Sequence, residues 1–318
     1  MRAVAMASVL GLGATACSQD DVERAATSNQ EQGAAPAKGV GVFMGGGDAE
    51  EIADFEQWMG GEISHALAFL GRKSWDGFVN RELIQEWAGS GYRMVYGTPM
   101  LMESGGTLRQ GADGAFDEHF RELAQTLVEN GQGNAILRLG WEFDGDWYPW
   151  SSQKDPQAFV DYWRRIVDTM RAVPGAEKLE FDWNSSSGGQ GPLEEVYPGD
   201  EYVDYIGLDL YDRSYTPEDK LPVARWELFM TRPGGLNWAR DFAKAHGKPM
   251  SIPEWGLTTQ HSSGAKQDNP DFVRNMHEFI QANDIGYQSY FEMDAHDGDF
   301  RLRSGQFPEA AKVYQELF

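Results

Sequence analysis

From Gly39 onward the chain alternates short apolar runs with longer stretches whose apolar residues recur every three to four positions. Short apolar runs separated by helical patterns suit parallel strands that are buried on both faces and covered by helices. Eight such runs occur, at 40–44, 65–70, 92–97, 135–139, 179–183, 203–210, 249–252 and 287–291. The helical pattern is clearest at 115–130, 155–171 and 271–283. In the first of these Phe116, Phe120, Leu123, Leu127 and Val128 share a face and Gly131 follows as a stop. In the second, Asp155-Pro156 opens a stripe of Phe159, Tyr162, Trp163, Ile166 and Met170. Eight strand–helix pairs predict an α/β protein, a (β/α)8 TIM barrel in a single domain spanning residues 39–318. In that fold chemistry sits at the C-terminal ends of the strands.

Two of the apolar runs lead into a glutamate flanked by tryptophan: Glu142 within 136–150 (ILRLGWEFDGDWYPW) and Glu254 within 248–256 (KPMSIPEWG). They fall after the fourth and seventh runs, so a barrel brings them together. Two carboxylates facing one cleft are what hydrolysis of a glycosidic bond needs. The alternative for Glu142 is a helix-start residue, and for Glu254 a structural salt bridge. The chain has 11 Trp, and those beside the acids suit sugar rings, whose C–H faces lie flat on indole. Trp141, Trp147, Trp150 and Trp255 are the candidate platforms, with Trp183-Asn184 at the end of the fifth run; core packing is the competing reading. Arg138 precedes Glu142 by four positions, which strand alternation places on the same face. It is a candidate to orient Glu254 or to pair with Asp209. Asp144 and Asp146 read equally as substrate contacts or as loop caps. Asp294-Ala-His296-Asp297-Gly-Asp299 lacks the terminal glutamate of a calcium loop, and Gly45-Gly-Gly47 reads as a tight strand exit. His65, which opens the second run, reads as a structural histidine. No metal site and no cofactor are expected. The stretch 213–236 is the longest insertion and a candidate cleft wall.

A net charge of −23 disfavours nucleic acid and anionic membrane surfaces as partners. The single cysteine, Cys17, leaves no partner for an intrachain disulfide. Residues 1–16 carry one early arginine, an apolar run and then small residues, the pattern of a secretory signal peptide. Ala14-Thr-Ala-Cys17 resembles a bacterial lipobox, although Leu is usual where Ala14 stands. A lipidated Cys17 followed by a flexible tether over 17–38 is therefore expected. The protein is expected to be exported to the cell envelope, touching a membrane only through that anchor, and to be a monomer.

Arg138-x-x-Trp141-Glu142, followed by Asp144-Gly-Asp-Trp147-Tyr-Pro-Trp150, resembles the acid/base strand of glycoside hydrolase family 26. Pro253-Glu254-Trp255-Gly256 resembles the family's nucleophile strand. Asp204-Tyr-Ile-Gly-Leu-Asp209-Leu-Tyr211-Asp212 resembles its sixth strand, where a tyrosine holds the nucleophile. The resemblance implies a retaining endo-β-glycosidase in which Glu142 is the acid/base, Glu254 the nucleophile and Tyr211 its orienting partner, with carboxyl groups about 5–5.5 Å apart. It implies a polysaccharide substrate, β-1,4-mannan first, with β-glucan, β-xylan or a bacterial exopolysaccharide as alternatives. Trp141 departs from the family, which carries His there. The rival readings are a surface glycan-binding lipoprotein without catalysis and a glycosyl transferase between sugars.

Overall fold

The computed structural model describes residues 38–46, 48–191, 193–213, 220–260 and 268–318. The expected signal peptide at 1–16, Cys17 and the tether as far as residue 37 lie outside the described residues, as does His261. Lys38, expected as the end of the tether, instead donates to the carbonyls of Ile280 and Asn283.

Eight parallel strands close into a barrel: β1 (Gly39–Phe43), β2 (His65–Phe69), β3 (Arg93–Thr98), β4 (Ile136–Leu139), β5 (Glu180–Ser186), β6 (Tyr205–Asp212), β7 (Met250–Leu257) and β8 (Ile285–Phe291). Each pairs with the next, and β8 returns to β1 with Gly41 opposite Ser289. Between them run α1 (Ala49–Met59), α2 (Arg81–Glu86), α3 (Leu108–Ala112), α4 (Asp117–Glu129), α5 (Pro156–Arg171), α6 (Pro222–Thr231), α7 (Leu236–Ala245) and α8 (Pro270–Ala282), with α9 (Pro308–Leu317) after β8. The fold is the single-domain (β/α)8 barrel that the alternation predicts.

Local rules explain the helices. Pro156 opens α5 where an amide proton is not needed, and the Asp155 carboxylate accepts from the Ala158 amide at 3.0 Å. Its stripe of Phe159, Tyr162, Trp163, Ile166 and Met170 is buried, each large side chain contributing roughly 1.5–3 kcal/mol. α4 begins two residues later than the pattern suggests, because Phe116 sits outside the helix and Asp117 and Glu118 occupy its first turn.

The barrel interior is layered. At the N-terminal end Arg93 pairs with Glu180 at 2.6 Å, and the Tyr205 hydroxyl donates to the same carboxylate at 2.7 Å. His65 lies at this end too, stacked on Tyr287, where burial and then Arg93 push its pKa down to about 4. It faces away from the catalytic end, as a structural histidine. The middle is apolar, built from Phe43, Leu67, Val95, Ile136 and Tyr287. The C-terminal end is charged and aromatic.

Strands β5, β6 and β7 extend three, two and five residues beyond the predicted runs. The added ends are polar (Asn184-Ser-Ser, Tyr211-Asp212, Glu254), so apolar content does not reveal them, and hydrogen bonds to neighbouring strands hold them. The insertion at 213–236 contains α6, anchored by Arg225, which pairs with buried Asp212 at 2.5 Å. The segment weighed as a calcium loop forms a small antiparallel sheet, with Asp294–Ala295, Gly298–Asp299 and Thr259–Gln260 as its strands. There Arg301 binds Asp294 and Asp299. No helix among the described residues is long and apolar enough to cross a membrane.

Candidate active site

Glu254 reaches the barrel mouth through an irregularity in β7. Ser251 points inward, where its hydroxyl donates to Asp182 at 2.6 Å. Strict alternation would then turn Trp255 inward and Glu254 outward. The pairing of β7 shifts between Ile252 and Trp255 on the β8 side and across the same stretch on the β6 side. Pro253, which has no amide proton for a ladder, sits in that shift. The added residue aims Glu254 into the barrel and Trp255 out between the sheet and the helices.

Glu142 arrives by a different device. β4 ends at Leu139, and Gly140 turns with φ +56°, a position where a Cβ would lie 2.6 Å from the Met100 sulfur. Glu142 itself has φ +50°, and it is the one non-glycine residue with positive φ among the described residues. Such a backbone costs about 1–2 kcal/mol in a residue with a Cβ. The turn is held on both sides, by Gly140 N–H to Thr98 and Glu142 N–H to Asn184, each at 2.8 Å. The alternation argument that linked Arg138 to Glu142 is therefore corrected: a turn, not the pleat, brings Glu142 inward.

Around Glu254 the groups form one buried network. The Tyr211 hydroxyl donates to Glu254 Oε2 at 2.5 Å. Burial, followed by the charge of Glu254, pushes the Tyr211 phenol well above its ordinary range, so it stays a donor. Arg138, fully buried, places Nη2 2.6 Å from Glu254 Oε1. The two protons of Nη2 go to Asn184 Oδ1 at 2.6 Å and Asp209 Oδ2 at 2.7 Å. The contact to Glu254 is thus Coulombic rather than an aligned hydrogen bond. Both readings of Arg138, orienting Glu254 and pairing with Asp209, describe the same side chain. Phe69 covers it, with the guanidinium 5.6 Å from the ring centre.

Glu142 is only partly exposed. Burial first, then the charges of Glu254 and Asp144, push its pKa up to about 8, while the hydrogen bond from Trp147 Nε1 to Oε2 at 3.0 Å and the charge of Arg138 pull it down. Near neutral pH one carboxyl is thus a proton donor beside another held by a phenol and a guanidinium.

The tryptophans divide sharply. Trp147 is 51% exposed and beside Glu142. Trp150, Trp183 and Trp255 have no exposed surface, which corrects the expectation that they bear sugar. Trp150 packs on Tyr148 and Trp141, and its Nε1 donates to the Trp141 carbonyl. Trp183 lies outside the sheet against Phe143 and Phe242. Trp255 lies outside against Tyr290 and Phe318 and donates to Gln288. Asn184 is also fully buried; it accepts from Arg138 rather than facing a ligand. Trp141, also expected as a platform, is 2% exposed and so bears no sugar either; its Nε1 donates to the Tyr148 hydroxyl at 3.1 Å. Asp144 caps the loop through Ser186, whose amide and hydroxyl donate to it at 2.8 and 2.7 Å; Asp146 is exposed.

Sequence reasoning assigned no role to Tyr148, Asp182 or Phe69. Asp182 lies two residues before Asn184 on the same strand face, a signal that alternation offers. It accepts from Ser251 and Tyr287, and burial pushes it up to about 6. A groove of about 850 Å³ runs between 101–109 and 146–155, with Arg72, Thr107, Tyr148, Lys154 and Trp147, the residue bonded to Glu142, in its walls. No group of three or more His, Cys, Asp or Glu among the described residues could hold a metal ion.

A family model described as glycosyl hydrolase family 26 matches residues 116–223, the stretch that carries β4, Glu142 and β6. Over that stretch the chain is similar to glycosyl hydrolase family 26. It is similar to a β-1,3-xylanase from Alcaligenes sp, 26% identical over 231 residues, covering 69% of this chain and 44% of the relative. It is also similar to a mannan endo-1,4-β-mannosidase from Bifidobacterium adolescentis, 24% identical over 182 residues, covering 54% of this chain and 18% of that one. The chain thus spans less than half the length of these curated relatives. Among solved structures, Bacillus subtilis mannanase man26 shares the barrel with a TM-score of 0.63 at 16% identity, over 88% of this chain and 85% of that one.

Proposed function

We propose that this chain is a retaining endo-β-glycosidase that cuts a neutral β-linked polysaccharide, with Glu142 as acid/base and Glu254 as nucleophile. The observation that carries the reading is the difference between the two carboxyls. One is pushed up to about 8 by burial and by the other; the other lies against a phenol at 2.5 Å and a guanidinium at 2.6 Å. A carboxylic acid beside a stabilised carboxylate is the pair that this reaction uses.

In the first step Glu254 attacks the anomeric carbon while Glu142 gives its proton to the glycosidic oxygen, and the bond to the leaving sugar breaks. The product is a glycosyl ester of Glu254 and a free leaving sugar. Water then enters, Glu142 as carboxylate takes one of its protons, and the oxygen attacks the same carbon. The ester bond breaks, Glu254 is again a carboxylate, and Glu142 again an acid. Tyr211 and Arg138 hold Glu254 in place between turnovers. The steps need no cofactor.

The sequence resemblance puts β-1,4-mannan first among substrates. The alignment with a β-1,3-xylanase over 231 residues, and with a second from Vibrio sp over 232 residues, gives β-1,3-xylan equal standing. Export with a lipid anchor at Cys17 belongs to the same reading. Incubation with β-1,3-xylan, β-1,4-mannan, β-glucan and bacterial exopolysaccharides, with products resolved by size, tests it. Early loss of polymer length with medium-sized oligosaccharides is expected from one of them. Binding without any product would instead favour a glycan-binding lipoprotein and overturn the proposal.

A further inference from the structure

We propose that Tyr148 is a specificity-determining contact, the hydrogen-bond donor that grips the sugar ring lying between Glu142 and Glu254, with its phenol aimed by buried Trp141. The inference rests on the glycosidase reading and adds a substrate contact to it.

The argument starts from the one-sided chemistry of indole. Trp141 Nε1 can donate but not accept, and its partner is the Tyr148 hydroxyl at 3.1 Å. The phenol oxygen is therefore the acceptor in that bond, and its own proton points elsewhere. Among the described residues no acceptor for that proton is found. Tyr148 is partly exposed and lines the groove together with Trp147, which is hydrogen-bonded to Glu142. The electrostatics agree: burial, then the charges of Glu142 and Glu254, push its pKa up, so the phenol stays protonated as a donor.

The donor is also held rigidly. One ring face stacks on Trp150 at 4.5 Å and 13° between planes, and Trp141 meets the ring edge-on at 5.1 Å. The Arg72 guanidinium stands 5.8 Å from the ring centre. Lys154 spends its ammonium group on the carbonyls of Tyr148 and Pro149, both at 3.0 Å, which fixes the backbone below the ring. Trp141 is 2% exposed, so what it offers the site is a fixed acceptor geometry for the phenol rather than a surface. A donor held this way loses little freedom when substrate arrives. Its complement is a sugar hydroxyl or ring oxygen, a neutral acceptor.

The test uses the full chain and a hexaose of β-1,3-xylan or β-1,4-mannan, whichever the unaltered protein cleaves. Tyr148→Phe keeps the stacked ring and loses the hydroxyl; kcat/KM is expected to fall about tenfold, the worth of one hydrogen bond. That substitution also strands the Trp141 N–H, so a lower Tm alone decides nothing. Trp141→Phe combined with Tyr148→Phe removes the stranded donor: Tm should recover while kcat/KM stays low. Recovery of both, or a Tyr148→Phe rate within twofold of the unaltered protein, would overturn the inference. Glu142→Gln, assayed alongside, separates the two claims. If it is inactive while Tyr148→Phe is unimpaired, only the Tyr148 contact falls. If it turns over normally, the glycosidase reading falls, and Tyr148 is judged by calorimetric binding of the hexaose, where the same tenfold weakening is expected and unchanged binding overturns it.

Discussion

Replacing Arg138 by methionine removes, among the described residues, the one cation from a cluster of largely buried carboxylates. Its Nη2 lies 2.7 Å from Asp209 and 2.6 Å from Glu254, and the side chains of Arg138 and Asp209 are both 0% exposed. Methionine fills much of the same volume, so the loss is electrostatic rather than a cavity. Breaking a buried pair on one side typically costs about 3–5 kcal/mol, because the remaining charge is left uncompensated. For a domain of this size that corresponds to roughly 6–20 °C in Tm. The sign of the pH dependence follows from Asp209. Burial pushes its carboxyl well above the ordinary range, and Arg138 is the group that pulls it back. Without Arg138 the folded variant holds that proton more tightly still. A group raised in the folded state contributes most at low pH and loses that contribution as pH rises through its folded pKa. The deficit relative to the unaltered protein should therefore be smallest in acid and grow toward alkaline pH. Adding Asp209→Asn should return part of it at neutral pH. Thermal or urea denaturation at several pH values measures all three. A loss below about 1 kcal/mol, or a deficit that shrinks as pH rises, would refute the buried-network argument.

Further expectations concern Glu142. The alkaline limb of kcat/KM should fall near pH 8, where Glu142 gives up its proton, and Trp147→Phe should move that limb upward, because the indole hydrogen bond favours the ionised form; pH–rate profiles of both proteins decide it. At Gly145 an added Cβ would meet the Trp147 ring at 2.3 Å, so Gly145→Ala should displace the indole from Glu142 and lower kcat by about tenfold with little change in Tm. Because Glu142 holds φ +50°, Glu142→Gly should be more stable than Glu142→Ala by about 1 kcal/mol in denaturant titration.

What the sequence made legible follows from period and spacing. Eight apolar runs alternating with helical stripes specify a barrel, and the strands that carry the two glutamates follow from their order along the chain. Arg138 on β4 and Asp209 and Tyr211 on β6 lie at strand ends that barrel closure brings together across β5. Adjacency in sequence misled for the aromatics. Trp183 and Trp255 sit one residue from inward-facing side chains, and the pleat sends such neighbours to the opposite face, into the helix layer. Strict alternation also fails at the decisive points. A pairing shift at Pro253 reverses the facing of Glu254, and the left-handed turn through Gly140 and Glu142 delivers the acid. Proline in a strand and glycine after one are visible signals of irregularity, but their geometry depends on neighbouring strands far away in the chain. Tyr148 escaped notice because its role rests on a hydrogen bond from Trp141, which only the folded loop creates.

The central claim is that Glu254 attacks the sugar and Glu142 handles the proton. Azide rescue of Glu254→Ala and Glu142→Ala on an activated aryl β-glycoside of the cleaved sugar, with the product's anomeric configuration read by proton NMR, addresses it directly. The account predicts an α-glycosyl azide from Glu254→Ala, where azide replaces the nucleophile. It predicts a β-glycosyl azide from Glu142→Ala, where azide replaces the water that opens the ester. The same anomer from both variants, or full hydrolysis by either without azide, would contradict it.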